Sequence, residues 1–137
     1  MKYVFVLILV VLVQGCTGDT DKVLPDMGTY EKDGALMVNI CQKFADEPDG
    51  KKLNKAAVAV QAARVISCAN FNEECNIYGR CLTQSIDASK DGDISARDRA
   101  ELKKTVSDLK AALSEGKTKL EAAWKKKHEK QDWFTGF

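Results

Sequence analysis

The chain has 137 residues, with 21 Lys and Arg against 20 Asp and Glu, and its formal net charge at pH 7 is +1. This balance gives no electrostatic argument for bulk nucleic-acid binding, so no nucleic-acid partner is expected. The only histidine, His128, lies in a basic run and offers no Ser-His-Asp or Cys-His set, so the sequence predicts that the protein is not an enzyme.

Residues 1–18 have the pattern of a secretory signal peptide. A short positive region precedes an apolar run over residues 3–13, which is too short to span a bilayer. Cleavage after Gly18 gives a secreted protein, and we favour this interpretation. Cleavage after Gly15 would leave Cys16 at the N-terminus, in a pattern that resembles a bacterial lipoprotein box. The protein would then be lipid-anchored at the cell surface.

The cysteines also favour export. Either cleavage accounts for Cys16, by removing it or by lipidating it, and leaves an even number in a small domain, which is typical of two disulfides. A zinc site is the alternative, but the remaining cysteines are 27, 7 and 6 positions apart and form no C-x-x-C pair. These four are Cys41, Cys68, Cys75 and Cys81.

Two helices are predicted in the first half of the remaining chain. Residues 19–32 are polar and contain Pro25 and Gly28, so we expect a flexible N-terminal arm. A helix should begin near residue 33, and the second helix should cover about residues 54–68. The acidic residues and the Asp-Gly pair within residues 44–55 predict a connection between them. The first helix has one apolar stripe, formed by Leu36, Met37, Ile40, Cys41 and Phe44.

A third helix is predicted over about residues 73–86, and the acidic loop (residues 87–98) follows it. The loop reads D-A-S-K-D-G-D-I-S-A-R-D, with oxygen-bearing side chains at positions 1, 3, 5, 9 and 12. Ca²⁺ takes six to eight oxygen ligands, and Gly92 at position 6 permits the sharp turn that brings them together. The predicted ligands are Asp87, Ser89, Asp91, Ser95 and Asp98, with the backbone carbonyl of Asp93.

A fourth helix is predicted from about residue 96, with an apolar stripe that continues past Gly116. We expect Gly116 to bend or end this helix. Residues 116–137 then form a basic, aromatic tail. Such a segment can contact an anionic membrane or a protein partner, or its aromatic residues can cap the core of the domain.

This order of helices and loops resembles an EF-hand calcium-binding pair over roughly residues 33–113, on the evidence of the acidic loop and its helical flanks. The resemblance implies an all-α domain over residues 33–115, in which a four-helix EF-hand-like pair carries a C-terminal helical extension. Residues 44–55 would be a second hand that has lost its ligands, and Leu53 and Ile94 would pair in a short strand. The similar places of Cys41 and Cys81 in the two hands imply one bridge between them and another between Cys68 and Cys75.

Two functions follow from these observations. In the first, the chain is an exported protein with one Ca²⁺ site, whose metal stabilises the fold or modulates a partner surface. Ser at position 3 and the short Asp at position 12 depart from the usual signature and predict weak affinity. In the second, the chain is a disulfide-stapled helical interaction protein, a secreted effector or a surface lipoprotein, and its acidic loop is a polar connection that binds no metal.

Overall fold

The computed structural model describes residues 24–68 and 71–135, with side chains described up to residue 130. These residues contain four helices and no strand, which confirms the predicted all-α, four-helix class. The predictions for residues 1–18 lie outside the described residues. The helices are α1 (Met27–Asp46), α2 (Gly50–Ala63), α3 (Asn72–Ala88) and α4 (Ala96–Thr135).

Helix α1 begins earlier than the sequence predicted. The Asp26 carboxylate accepts a hydrogen bond from the Thr29 backbone N–H at 3.0 Å, which satisfies one of the free N–H groups of the first turn. Residues 27–32 are therefore helical and not part of a flexible arm. The predicted apolar stripe is shifted as well, because Met37, Cys41 and Phe44 are buried while Leu36 is 37% exposed.

Helix α2 also begins earlier than predicted. The Asp49 carboxylate accepts hydrogen bonds from the backbone N–H groups of Lys51 and Lys52, and the helix starts at Gly50. Leu53 therefore lies inside the helix and is fully buried, whereas Ile94 lies in the connection before α4. The predicted strand pairing of these two residues is wrong, because the cap at Asp49 places Leu53 in helical backbone.

The core lies where α4 packs along both α1 and α3, with α2 packed against α3. Burial of a Leu-sized side chain contributes about 1.5–3 kcal/mol, so these contacts supply most of the favourable free energy of folding. The apolar side chains at the centre of the core are fully buried, and they are Met37, Leu53, Leu102 and Leu109.

Two disulfides cross-link the helices, and both match the predicted pairs. Cys41 in α1 bonds Cys81 in α3, with the two Cα atoms 6.2 Å apart. Cys68 bonds Cys75 at the start of α3, with a Cα–Cα distance of 5.8 Å. Disulfides persist in oxidising compartments, so this pair of bridges fits an extracellular or otherwise oxidising environment.

Helix α4 continues past Gly116 to Thr135, so the helix does not end at this residue. A Cβ atom at Gly116 would overlap the Tyr30 hydroxyl and the Glu74 carboxylate. The glycine is therefore needed for close contact between helices and not for a break. Among the described helices, none has a stretch long and apolar enough to cross a membrane.

Candidate functional site

The acidic loop connects α3 to α4 and takes the turn that the sequence predicted. Gly92 has a φ of +82°, in the left-handed region that glycine adopts at little cost. Gly50 at the start of α2 lies against the backbone of Gly92 and Asp93, and a Cβ at Gly50 would overlap the Gly92 carbonyl. The acidic loop and the connection between α1 and α2 are therefore packed against each other.

Ser89, at position 3 of the acidic loop, is buried and hydrogen-bonded within the protein. Its hydroxyl donates to the Ser85 carbonyl at 2.5 Å and accepts from the Asn54 side-chain amide at 3.2 Å. The same Asn54 amide donates to the Ile86 carbonyl at 3.2 Å. Because Ser89 is 1% exposed and its hydroxyl is directed to the end of α3, it is not available as a calcium ligand in this arrangement.

Ser95, at position 9, caps the helix that follows the loop. Its hydroxyl accepts a hydrogen bond from the Asp98 backbone N–H at 3.0 Å, which is the interaction of an N-cap residue. Asp91 and Asp93, at positions 5 and 7, are exposed. The local sequence thus determines where α4 begins, while the two middle carboxylates remain in solvent.

The first and last positions of the loop do come together. Asp87 in the last turn of α3 and Asp98 in the first turn of α4 line one polar cavity of about 240 Å³, together with Gln84 and Glu101. Within the described part of the chain, however, no three Asp, Glu, His or Cys side chains are close enough to hold a metal ion together. The oxygen chemistry of the loop suits Ca²⁺, and of the six predicted ligands Asp87 and Asp98 share this cavity, while the Ser89 hydroxyl is hydrogen-bonded elsewhere.

A side chain of the α3–α4 pair caps the end of α1, and a side chain of the α1–α2 pair caps the end of α3. The Arg99 guanidinium in α4 donates to the Ala45 carbonyl at 2.6 Å and to the Glu47 carbonyl at 2.8 Å, at the C-terminal end of α1. Asn54 in α2 has the corresponding role at the end of α3, through the Ile86 carbonyl. These caps satisfy carbonyl groups that have no partner within their own helices, and they tie the two connections to each other.

A second candidate site is a groove between α1 and α4 with a volume of about 540 Å³. Its floor is formed by small and apolar residues of both helices. A Cβ at Gly34 would lie 2.8 Å from a terminal carbon of Leu113, so the glycine allows the two helices to approach closely. The floor residues are Gly34, Ala35, Val38 and Leu113.

The two ends of the groove differ in charge. At one end, the Lys117 ammonium lies 2.9 Å from the Glu31 carboxylate, and this hydrogen bond raises the pKa of Lys117. Lys110 and Asn39 also line the groove, seven positions from Lys117 in α4 and eight from Glu31 in α1, and the helical rise places them about 10–12 Å from that ion pair, at the other end. No ion pair links Lys110 to another residue of the described chain. One end is therefore neutralised by the protein, while the other carries a positive charge.

Tyr30 lines the groove, and its hydroxyl lies against Gly116 of α4. Its hydroxyl donates to the Glu74 carboxylate at 3.1 Å and to the Leu113 carbonyl at 3.3 Å, and its ring stacks on Phe71 with centroids 4.9 Å apart. Burial, and then the Glu74 carboxylate, raise the pKa of Tyr30 well above its ordinary value. This buried contact joins α1, α3 and α4 at one point.

The sequence did not predict the groove. The predicted start of the first helix near residue 33 and the apolar stripe of the fourth helix describe each helix by itself, and neither indicates that the two helices meet. One sequence feature could have indicated the groove. The small residues Gly34 and Ala35 lie on one helix face between the polar residues Glu31 and Asn39. Which helix lies opposite that face is a tertiary property, and the periodicity of a single helix does not contain it.

Comparison with protein-family models, curated proteins and solved structures found no match for the chain.

Proposed function

We propose that the chain is an exported, disulfide-stapled helical protein that acts by binding, and that it holds a small apolar molecule in the groove between α1 and α4. The observation that carries this proposal is the groove itself, which is open and has an apolar floor at Ala35, Val38 and Leu113. Its volume of about 540 Å³ falls within the range of about 300–1,000 Å³ that is usual for small-molecule sites.

The surroundings of the groove support this function. The Cys41–Cys81 bridge links α1 to α3, and the Tyr30 hydroxyl links the same two helices beside the groove. The Tyr30 hydroxyl also joins α1 to α4 across the groove, through the Leu113 carbonyl. A site whose helices are held in place loses less conformational freedom when it binds than a flexible one, so more of the contact energy appears as affinity. The bridges also fit the oxidising compartment that export implies.

The proposal is tested with the purified, oxidised protein and the uncharged fluorescent probe N-phenyl-1-naphthylamine. We expect the probe to brighten on addition of protein. The variant Ala35→Trp should abolish this signal, because Ala35 is exposed at the groove and a large side chain there fills it without disturbing the core.

The matched control is Ala56→Trp, at an exposed alanine of α2 that does not line the groove. This variant should keep the full probe signal, and circular dichroism should show native helicity for both variants. A signal that is absent from the parent protein, or equal in the two variants, would contradict the proposal.

A second candidate function is weak calcium binding at the acidic loop. It is favoured by the shared cavity of Asp87 and Asp98 and by the left-handed turn at Gly92. Because the Ser89 hydroxyl is engaged elsewhere, fewer ligands would be available, and this favours weak affinity, near the about 10⁻⁴–10⁻³ M of extracellular modules. The metal would then stabilise the loop or modulate a partner surface.

Calorimetric titration with calcium tests the second candidate. Binding heat should appear at millimolar calcium, should be lost in Asp87→Ala, and should be kept in Asp33→Ala, which changes an acidic residue of α1 outside the loop. Absence of heat at millimolar calcium, or equal heat in the two variants, would remove calcium from the account and leave the groove proposal untouched.

A further inference from the structure

The two ends of the groove carry different charges, so the groove favours one orientation of an elongated ligand. Glu31 and Lys117 neutralise each other at one end, while Lys110 and the Asn39 amide lie at the other. Lys110 and Lys117 are seven residues apart on α4, which places them about 10 Å from each other along the helix axis at 1.5 Å per residue. The apolar floor lies between these ends.

We infer that the groove takes a free single-chain amphipathic anion, of the fatty-acid class, with its carboxylate at Lys110 and its hydrocarbon chain along Ala35, Val38 and Leu113. This inference rests on the proposed function and adds the chemical class and the orientation of the ligand. The length of the floor suits a hydrocarbon chain of medium length, and the ion pair at the far end leaves no charge for a second head group.

Charge complementarity favours an anion over a cation. An anionic head gains the attraction of the Lys110 ammonium and can accept a hydrogen bond from the Asn39 amide. A cationic head would meet the same ammonium as a like charge. Among the described residues that line the groove, the one acidic side chain is Glu31, and its carboxylate is already engaged with Lys117 at 2.9 Å.

The test is displacement of N-phenyl-1-naphthylamine by decanoate and by decyltrimethylammonium, which have the same chain and opposite head charge. We expect decanoate to displace the probe at about tenfold lower concentration in low salt, because an exposed lysine attracts one head and repels the other. Added salt should bring the two ligands closer together, since exposed charges are screened beyond about 8 Å at physiological ionic strength.

Charge reversal identifies the head-group position. Lys110→Glu should invert the order of the two ligands, while Lys104→Glu should leave it unchanged. Lys104 is an exposed lysine of α4 that does not line the groove, so it matches the change in net charge. Both variants change exposed residues, and both should retain the helicity of the parent protein.

The outcomes separate this inference from the proposed function. Probe binding with no preference between the two heads, or with a preference that Lys110→Glu leaves unchanged, would overturn the anionic ligand and leave the groove as a binding site. If the probe binds but decanoate does not displace it, the anionic ligand is likewise overturned and the groove remains a binding site. Absence of probe binding in the parent protein would overturn both.

Discussion

The acidic loop and the groove differ in what their side chains already contact. In the loop, the Ser89 and Ser95 hydroxyls bond to nearby backbone groups, and the Asn54 amide holds the end of α3. In the groove, Ala35 and Val38 form an apolar surface that the described part of the chain leaves open. The comparison shows that residue types alone can suggest a ligand. To hold that ligand, the side chains must also be free of competing contacts within the protein.

The largest expected effect concerns the bridge that supports both regions. The double variant Cys41→Ala/Cys81→Ala opens a link between residues 40 positions apart, and loop entropy predicts a loss of about 4 kcal/mol in the free energy of unfolding. The control, Cys68→Ala/Cys75→Ala, opens a link across 7 positions and should cost about 2 kcal/mol. Urea unfolding of the two variants measures both values, and the reverse order would contradict this account.

The next prediction concerns Gly116, where α4 meets Tyr30 and Glu74. Gly116→Ala should lower the free energy of unfolding by about 1–3 kcal/mol, because overlap with these two side chains exceeds the gain in helix propensity. Gly79→Ala is the matched control, since a Cβ there meets nothing within 4 Å. This control should be stabilised by about 0.5–1 kcal/mol. Stabilisation of both variants would show that the contact at Gly116 is not close.

The loop side of the comparison is tested at Asn54. Asn54→Ala removes the donor to the Ser89 hydroxyl and the Ile86 carbonyl, and we expect it to cost about 1–2 kcal/mol. The control is Asn76→Ala, an exposed position of α3 that should change stability by less than about 0.5 kcal/mol.

Thermal unfolding of the Asn54 and Asn76 variants with and without millimolar calcium completes this test. If the side-chain amide holds the loop, calcium should not restore the stability lost in Asn54→Ala. Full recovery in calcium would mean that a metal can replace the amide, and it would favour the second candidate function.

The exposed end of α4 provides a third surface for the comparison. Leu120 is buried, whereas four lysines beyond it are exposed, and we propose that they contact anionic membranes. Each lysine should contribute about 1 kcal/mol to binding of phosphatidylserine vesicles in low salt, and the affinity should fall as salt rises. These lysines are Lys125, Lys126, Lys127 and Lys130.

A vesicle sedimentation assay compares Lys126→Gln/Lys130→Gln with the control Lys103→Gln/Lys104→Gln, which removes the same charge from the first half of α4. Equal binding by the two variants would contradict a membrane contact at the helix end. Trp124 should report little change in fluorescence, because its indole N–H already donates to the Pro25 carbonyl at 2.9 Å and its ring lies under the Lys127 ammonium.

The smallest expected effect is a dependence of stability on alkaline pH. Burial and Glu74 raise the pKa of Tyr30 in the folded protein above the ordinary value of 10.0, so unfolding favours ionisation. This contribution to stability is complete below pH 10 and is lost as the pH rises above it. Tyr30→Phe should therefore show a smaller loss of urea stability between pH 8 and pH 11 than the parent protein. An identical pH profile would show that Tyr30 is not held as the neutral phenol.

The sequence predicted the helices well and their limits less well. Apolar spacing is a property of each helix alone, so α1 to α4 could be found from it. The starts of α1 and α2 depend on single carboxylates, Asp26 and Asp49, which shift a boundary by several residues. Gly116 was misread because a helical glycine that permits close packing looks the same in sequence as one that ends a helix.

The candidate site was predictable only in its local parts. The turn at Gly92 was predicted from the residues of the loop itself. The cap at Ser95 also depends on residues a few positions apart, although Ser95 was predicted as a calcium ligand and not as a cap. The hydrogen bond from the Ser89 hydroxyl to the Ser85 carbonyl is local, but the contact of Ser89 with Asn54, 35 positions away, could not be predicted from spacing. The groove needs two helices from opposite ends of the chain, and no spacing within either helix contains that information.

The most direct test of the account is an amide NMR titration of the oxidised protein with decanoate, followed by a separate titration with calcium. The account predicts that decanoate shifts the amide signals of Ala35, Val38 and Leu113 and leaves residues 87–98 unchanged. The result that would contradict it is decanoate leaving those groove signals unmoved while millimolar calcium shifts the whole acidic loop, Ser89 included.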